Sequence, residues 1–200
     1  MKIPLCLMFT LLLMACSDSP SLTPLNEQQP ILAFGDSLTS GRGANKQESY
    51  PVQLGLLLNR QVINAGISGE TSLQGLKRLP KLLDKYQPQL LILCHGGNDV
   101  LQNRNLDKMQ DNLAQMIEMA QDRDIQVILL SVPEATIFLS DIEQYQTLAT
   151  QYKIPLGNGI MRDVLKKPAL HSDTVHPNAQ GYRLIAEGVY DLLAEYGALN

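Results

Sequence analysis

Ile31-Leu32-Ala33-Phe34-Gly35-Asp36-Ser37-Leu38-Thr39-Ser40-Gly41 is the stretch from which the rest of the chain is read. Four apolar residues run straight into Gly-Asp-Ser, and a second glycine follows four positions after the serine. A short unbroken apolar run closed by turn residues reads as a strand buried on both faces, as in a parallel sheet. Open parallel sheets place their chemistry outside the carboxyl ends of the strands. Ser37 therefore falls where a nucleophile would stand, on the turn leaving the first strand. Gly, Asp and Ser are also ordinary turn formers, so the block by itself is equally a plain turn. A serine hydroxyl needs a neighbouring base to attack a carbonyl, and the surrounding sequence has to supply one.

Outward from this stretch, strands and helices alternate. Gln61–Ala65, Leu90–Cys94 and Val127–Val132 predict three further strands, and Ile154–Leu156 a short fifth. Between them Tyr50–Asn59 reads as a helix, with its proline tolerated in the first turn. Leu73, Leu76, Leu83 and Tyr86 recur at helical spacing, with Pro80 expected to kink or interrupt that helix. Leu106, Met109, Leu113, Met116, Ile117 and Ala120 mark an amphipathic helix. Ile142, Tyr145, Leu148, Ala149 and Tyr152 mark another, and Tyr182 to Tyr196 the last, with Asn178 a candidate N-cap. The alternation predicts an α/β fold, a parallel sheet covered by helices on both faces.

Bulk properties bound the rest. At 200 residues the chain has room for one domain with a full core, and 44% hydrophobic with 18% charged residues is a globular composition. A net charge of −4 gives no sign of a nucleic-acid partner. The N-terminus stands apart. Lys2 is followed by an apolar run, Ile3 to Met14, too short to span a bilayer as a helix, which ends at Ala15-Cys16. This is the three-part pattern of a secretory signal. Leu13-Met14-Ala15-Cys16 also resembles a bacterial lipobox. That resemblance implies cleavage before Cys16, lipid on Cys16 and, with Ser17 next, an outer-membrane lipoprotein facing the periplasm. The alternative is a plain signal cut near the same place, leaving a soluble periplasmic or secreted protein. Of three cysteines, Cys6 would leave with the signal and Cys16 would be acylated, so no disulfide framework is expected and Cys94 reads as a small core residue. Ser17–Pro30 is rich in Ser, Pro, Asn and Gln and is expected to be a flexible tether. The chain divides into 1–15 (signal), 16–30 (lipidated Cys and tether) and 31–200 (domain).

The segments that follow the strands carry the chemistry. After strand two comes Asn64-Ala65-Gly66-Ile67-Ser68-Gly69-Glu70-Thr71, and after strand three Gly96-Gly97-Asn98-Asp99. Together with the Gly35-Asp36-Ser37 turn, these loops emerge on one sheet edge. Glycines there let backbone N–H groups approach a ligand, and Asn98 adds an amide donor; such groups can hold a developing oxyanion. Asp173-Thr174-Val175-His176-Pro177-Asn178 precedes the last helix. The two-residue gap lets the Asp173 carboxylate accept from one imidazole nitrogen while the other faces outward as a base. Asp36 is read as a turn-holding residue rather than an acid partner, and Glu70 and Asp99 as braces of their loops. His171 is read as an exposed loop residue. His95 is either a second titrating group near the site or a packing and hydrogen-bonding residue. Gly41 and Gly43 flank Arg42, but no phosphate-loop pattern is present.

Gly35-Asp36-Ser37-Leu38, Asn64 to Gly69, Gly96-Gly97-Asn98-Asp99 and Asp173 to Pro177 occur in this order over residues 31 to 196, and the chain thereby resembles the GDSL/SGNH hydrolases, in particular their bacterial thioesterase I/lysophospholipase-like and arylesterase branch. The resemblance implies a flavodoxin-like three-layer α/β/α sandwich with about five parallel strands in the order 2-1-3-4-5. It implies hydrolysis of esters or thioesters through an acyl-enzyme, with no metal or other cofactor. It implies Ser37 as nucleophile, His176 as base and Asp173 as its orienting acid. The oxyanion donors are then the Ser37 and Gly69 N–H groups and the Asn98 side chain. The sequence departs from the family at Cys94-His95, where an acidic or apolar pair is usual. Leu101, Ile137 and Phe138 are expected to border the acyl site. A small-molecule ester or lipid is the expected substrate, and an anchor would put the enzyme beside phospholipid. Two other classes stay open: a dormant envelope lipoprotein that binds lipid or glycan in the cleft, and a flavodoxin-like phosphate binder.

Overall fold

The computed structural model describes residues 19–134 and 139–199. Cys16, Ile137 and Phe138 lie outside the described residues. Five parallel strands form one sheet in the order β2-β1-β3-β4-β5: β1 is Ile31–Gly35, β2 Val62–Gly66, β3 Leu90–Cys94, β4 Gln126–Leu130 and β5 Leu156–Gly157. The fold is the expected three-layer α/β/α sandwich. Every residue of β1 and β3 is buried, which is why both segments are written as unbroken apolar runs. β2 is an edge strand and only partly buried.

Helices α1 (Ser37–Ser40), α2 (Tyr50–Leu58), α3 (Ser72–Tyr86), α4 (Gly97–Leu101), α5 (Leu106–Gln121), α6 (Glu143–Tyr152), α7 (Ile160–Leu165) and α8 (Ala179–Glu195) connect the strands. In one helical layer α2 and α7 pack on α8; in the other α3 and α6 pack on α5. Asn178 caps α8, its side chain accepting from the Gly181 N–H at 3.0 Å. The register sets the height of the site. Gly35 at the end of β1 lies level with Gly66 of β2 and Cys94 of β3, so the three following loops leave one edge together. Glycine is required there for space: a Cβ on Gly66 would come within 2.1 Å of the Ser40 backbone nitrogen, so α1 sits directly over the end of β2.

Two expectations change. Pro80 does not interrupt α3, which runs from Ser72 to Tyr86 as one helix. The lost backbone bond and ring clash cost about 3 kcal/mol. Leu79 and Leu83 are fully buried on the same helix, and burial of each contributes roughly 1.5–3 kcal/mol, enough to hold it together. A capping box of Thr71 and Gln74 fixes its start.

The second change is at the expected tether, whose later part is packed onto the domain. Leu22 and Leu25 are buried, and their N–H groups donate to the carbonyls of Tyr196 (2.8 Å) and Ala198 (2.9 Å) beyond the end of α8. The Gln126 side chain pairs with both the N–H (2.6 Å) and the carbonyl (3.2 Å) of Thr23. Gln89 does the same for the Asn26 N–H (2.7 Å) and the Pro24 carbonyl (3.1 Å). The Arg60 guanidinium donates to the carbonyls of Leu25 and Asn26. Composition concealed this: polar residues dominate the stretch, but two leucines three apart reach the core and side-chain amides of the domain stand in for strand partners. Leu25→Ala is therefore expected to lower stability by about 2 kcal/mol, the low end for a buried leucine, seen as a lower urea midpoint with the slope unchanged.

Candidate active site

Ser37 opens the one-turn helix α1. Asp36 caps it, its Oδ1 accepting from the Leu38 N–H at 3.1 Å. The Ser37 carbonyl takes the N–H groups of Gly41 and Arg42, each at 3.1 Å, which fixes the turn on which the hydroxyl stands. Asp36 is buried, and desolvation raises its carboxyl above the ordinary carboxylate value despite the lowering effect of His95 and the Leu38 and Gly97 amides. It forms no hydrogen bond with His176, whose ring is held instead by Asp173, and is the turn-holding residue expected.

The loop before α8 brings His176 to the serine. Asp173 Oδ1 accepts from the backbone N–H groups of Val175 (3.0 Å) and His176 (2.9 Å). That tight turn holds its carboxylate against the His176 ring, with Nδ1 2.8 Å from Oδ2. On the other side of the ring, Nε2 lies 3.0 Å from Ser37 Oγ, across 139 residues of sequence. The carboxylate accepts a hydrogen bond from Nδ1–H, which leaves the Nε2 lone pair facing the serine hydroxyl. The Val175 N–H does most to hold the Asp173 carboxyl below its ordinary 3.8; the His176 ring adds to this and partial burial works against it.

Asn98 lies in the first turn of α4, and its Nδ2 donates to the Glu70 carbonyl at 3.0 Å. Gly69, one residue earlier in that loop, has φ +83° in a turn closed by the Glu70 N–H on the Ile67 carbonyl (3.2 Å), and open space lies where a Cβ would be. Only glycine adopts this backbone without strain. Under the loop is a buried charged group. Glu70 accepts from Arg78 Nε (2.8 Å) and Nη2 (2.5 Å) and stands 3.1 Å from His95 Nε2. His95 Nδ1 accepts from the Gly96 N–H at 3.2 Å, which leaves the proton on Nε2, donated to Glu70. The His95 carbonyl takes the Tyr145 hydroxyl at 2.7 Å. The Arg78 guanidinium lies 4.2 Å over the Phe34 ring. Burial pushes the Glu70 carboxyl up, and the bonds from His95 and Arg78 outweigh it and hold it below its ordinary value. Of the two readings of His95, the bracing one fits. Asp99 is a brace as well, accepting from the Ser72 N–H (2.7 Å) and hydroxyl (2.8 Å) at the start of α3.

Ser37, Asn98 and His176 line one cleft, walled by Leu38, Val100, Leu101, Val132, Leu139, Leu165 and Val175. Leu101 is half exposed at its mouth. Asp173 stands behind His176 and Gly69 in the adjoining turn. Glu134 also borders the cleft. Sequence reading passed over it, although it follows β4 on the same sheet edge as the other site loops. Arg78 was also passed over; it lies eight residues beyond the carboxylate it binds. His171 is not exposed: it bridges to Pro177, and its Nε2 is closed off from solvent. Burial raises the Cys94 thiol far above its ordinary range, as befits an inert core residue. Among the described residues no cluster of His, Cys, Asp or Glu is arranged to hold a metal ion.

Residues 33–184 match the model of the GDSL-like lipase/acylhydrolase family. The chain belongs to that family. It is similar to the esterase TesA of Pseudomonas aeruginosa, 35% identical over 93% of this chain and 98% of that protein. It is also similar to an arylesterase of Vibrio mimicus, 30% identical over 94% and 98%. A thioesterase 1/protease 1/lysophospholipase L1 of Escherichia coli is 30% identical over 78% and 79%. Among solved structures, TesA superposes with a TM-score of 0.77 at 28% identity, covering 84% of this chain and 99% of that one. The psychrotrophic esterase EstA from Pseudoalteromonas, inhibited by monoethylphosphonate, gives 0.75 at 28% identity, covering 84% and 98%. The GDSL chain is a serine ester hydrolase.

Replacing His95 by leucine would leave one buried Glu70 oxygen without that donor. The expected cost is about 1–3 kcal/mol of stability, measured by chemical denaturation. His95→Gln, which keeps an amide donor, should recover part of it.

Proposed function

We propose that this hydrolase cleaves carboxylic esters or thioesters through an acyl-enzyme on Ser37, with His176 as base and Asp173 as its orienting acid. The observation that carries the proposal is the hydrogen-bonded line from Asp173 through His176 to Ser37 Oγ at 2.8 and 3.0 Å. His176 takes the hydroxyl proton as Ser37 attacks the carbonyl carbon. The oxyanion is held by the N–H groups of Ser37 and Gly69 and by the Asn98 amide, whose second hydrogen is free once the first is given to the Glu70 carbonyl. The imidazolium then protonates the leaving group, and water repeats the sequence on the acyl-enzyme. A binding module that had given up catalysis would have no need of this proton path.

The apolar cleft walls suit an acyl chain or an aromatic ester. The relatives fit the same range: one is named an arylesterase and another a thioesterase and lysophospholipase. The Leu13-Met14-Ala15-Cys16 box supports lipid on Cys16 and a place in the bacterial cell envelope, with the membrane a partner through that lipid.

The test is hydrolysis of para-nitrophenyl esters from acetyl to palmitoyl. Ser37→Ala should remove turnover, and a phosphonate ester of the kind that inhibits EstA should lose its leaving group to Ser37 Oγ and add the mass of the remaining phosphonyl group to the wild-type chain and not to the variant. Asn98→Ala should lower kcat by about 10²–10³ with little change in KM. Asp173 is held ionised below its ordinary pKa, so its support of His176 is complete above about pH 4 and is lost only as pH falls through the depressed value. Protonation of Asp173 should therefore add nothing to the pH dependence of kcat above that value. Normal turnover by Ser37→Ala would sink the mechanism.

A further inference from the structure

The segment before β1 is fastened to the pole of the domain opposite the cleft. Its partners Arg60, Gln89 and Gln126 stand at or just before the starts of β2, β3 and β4. Its other partners, Tyr196 and Ala198, follow the end of α8, a helix that begins beside His176 and returns to the far edge of the sheet. The strands all run from this pole toward Ser37, so five residues of β1 alone put about 17 Å between the two edges.

We infer that a membrane held through the N-terminal segment faces this pole, and that the hydrolase takes esters from the aqueous phase and not from the bilayer that anchors it. The inference rests on the proposed ester hydrolysis and on the proposed lipid at Cys16. Magnitudes decide it. Leu22, the first residue of the clasp, is six residues from Cys16. Six residues reach about 21 Å when fully extended. A domain of about 180 residues has a radius near 20 Å, so the path from the clasp around to the cleft is about 60 Å. The short segment lets the domain rock on the membrane but does not let it turn over. Freeing more chain would require undoing the Gln89 and Gln126 pairings and drawing Leu22 and Leu25 out of the core. This reverses the simplest expectation from an anchor, that it delivers the site to neighbouring phospholipid.

The experiment uses the full-length chain, purified from a bacterial host and reconstituted in phosphatidylcholine vesicles that carry an energy-transfer acceptor lipid. A donor dye is placed at the cleft mouth through Gln102→Cys or at the clasp pole through Asp122→Cys. Each is compared with a form carrying about 40 Gly/Ser residues inserted between Ser19 and Pro20, whose mean span of roughly 35 Å, and greater extended reach, lets the domain turn over. In the native-length chain, transfer from the pole dye should exceed transfer from the mouth dye at least threefold, and the long insert should erase the difference. A fluorogenic two-chain ester lipid confined to the vesicles should be cleaved at least tenfold faster by the long form, while both forms hydrolyse a water-soluble para-nitrophenyl ester at one rate. Equal transfer from the two dyes in the native-length chain overturns the inference, and so does a chain that fails to float with the vesicles. Loss of the soluble-ester activity in both forms would instead strike the hydrolase reading, with the transfer result still standing.

Discussion

Three strands of this sheet have to end level. Gly35, Gly66 and Cys94 share one register, and on that common edge stand Ser37, the Gly69 turn and Asn98. Each is separated from the next by a whole crossover helix, so no local rule brings them together. Parallel hydrogen bonding does, because a slip of one residue would turn every buried side chain of β1 to the other face. The fit is tight enough that Gly66 has no room for a methyl group against the backbone of α1. His176 then needs to approach from one direction only, and the Asp173 turn supplies it.

The buried group beneath the site follows from the same geometry. Beside Ser37 at the start of α1, the candidate oxyanion donors are Gly69, in the turn after β2, and Asn98, in the first turn of α4. Their relative position is set by Glu70, whose carbonyl takes the Asn98 amide and whose carboxylate is held by Arg78 and His95. An unpaired carboxylate at this depth would cost several kcal/mol, so burying it is tolerable only with its donors in place. The arrangement is stiff for that reason: Glu70 cannot shift without giving up bonds that nothing else nearby replaces. Preorganised donors of this kind lower the barrier because they need no rearrangement when charge develops.

Much of this was legible in the sequence, and for identifiable reasons. Strands buried on both faces are written as apolar runs, so β1 and β3 stood out. The Asp173–His176 spacing is a local device, and a local turn is enough to make it. What escaped depends on distance in three dimensions. Arg78 looks like one more exposed cation on an amphipathic helix, and only the sheet shows that it reaches back to Glu70 and Phe34. Pro80 looked like a break because the pattern rule counts the lost hydrogen bond and not the two leucines buried beside it. The stretch before Ile31 looked like a linker because composition averages over residues, and two leucines with three amide and guanidinium partners, Gln89, Gln126 and Arg60, were lost in the average.

That last misreading bears on how the molecule is oriented. In a sheet whose strands all run one way, the carboxyl-edge loops carry the chemistry and the opposite edge receives the starts of the strands. β1 is the first strand here, so the segment that leads into it arrives at the edge away from Ser37. A long free linker would make that polarity irrelevant, since a flexible chain lets a domain turn either way. Leu22, Leu25, Gln89 and Gln126 remove that freedom by holding the segment at the strand starts, on the side of the sheet away from the cleft. Fold direction thereby sets where the segment leaves the domain: the described residues from Ser19 onward depart from the side of the sheet away from the cleft.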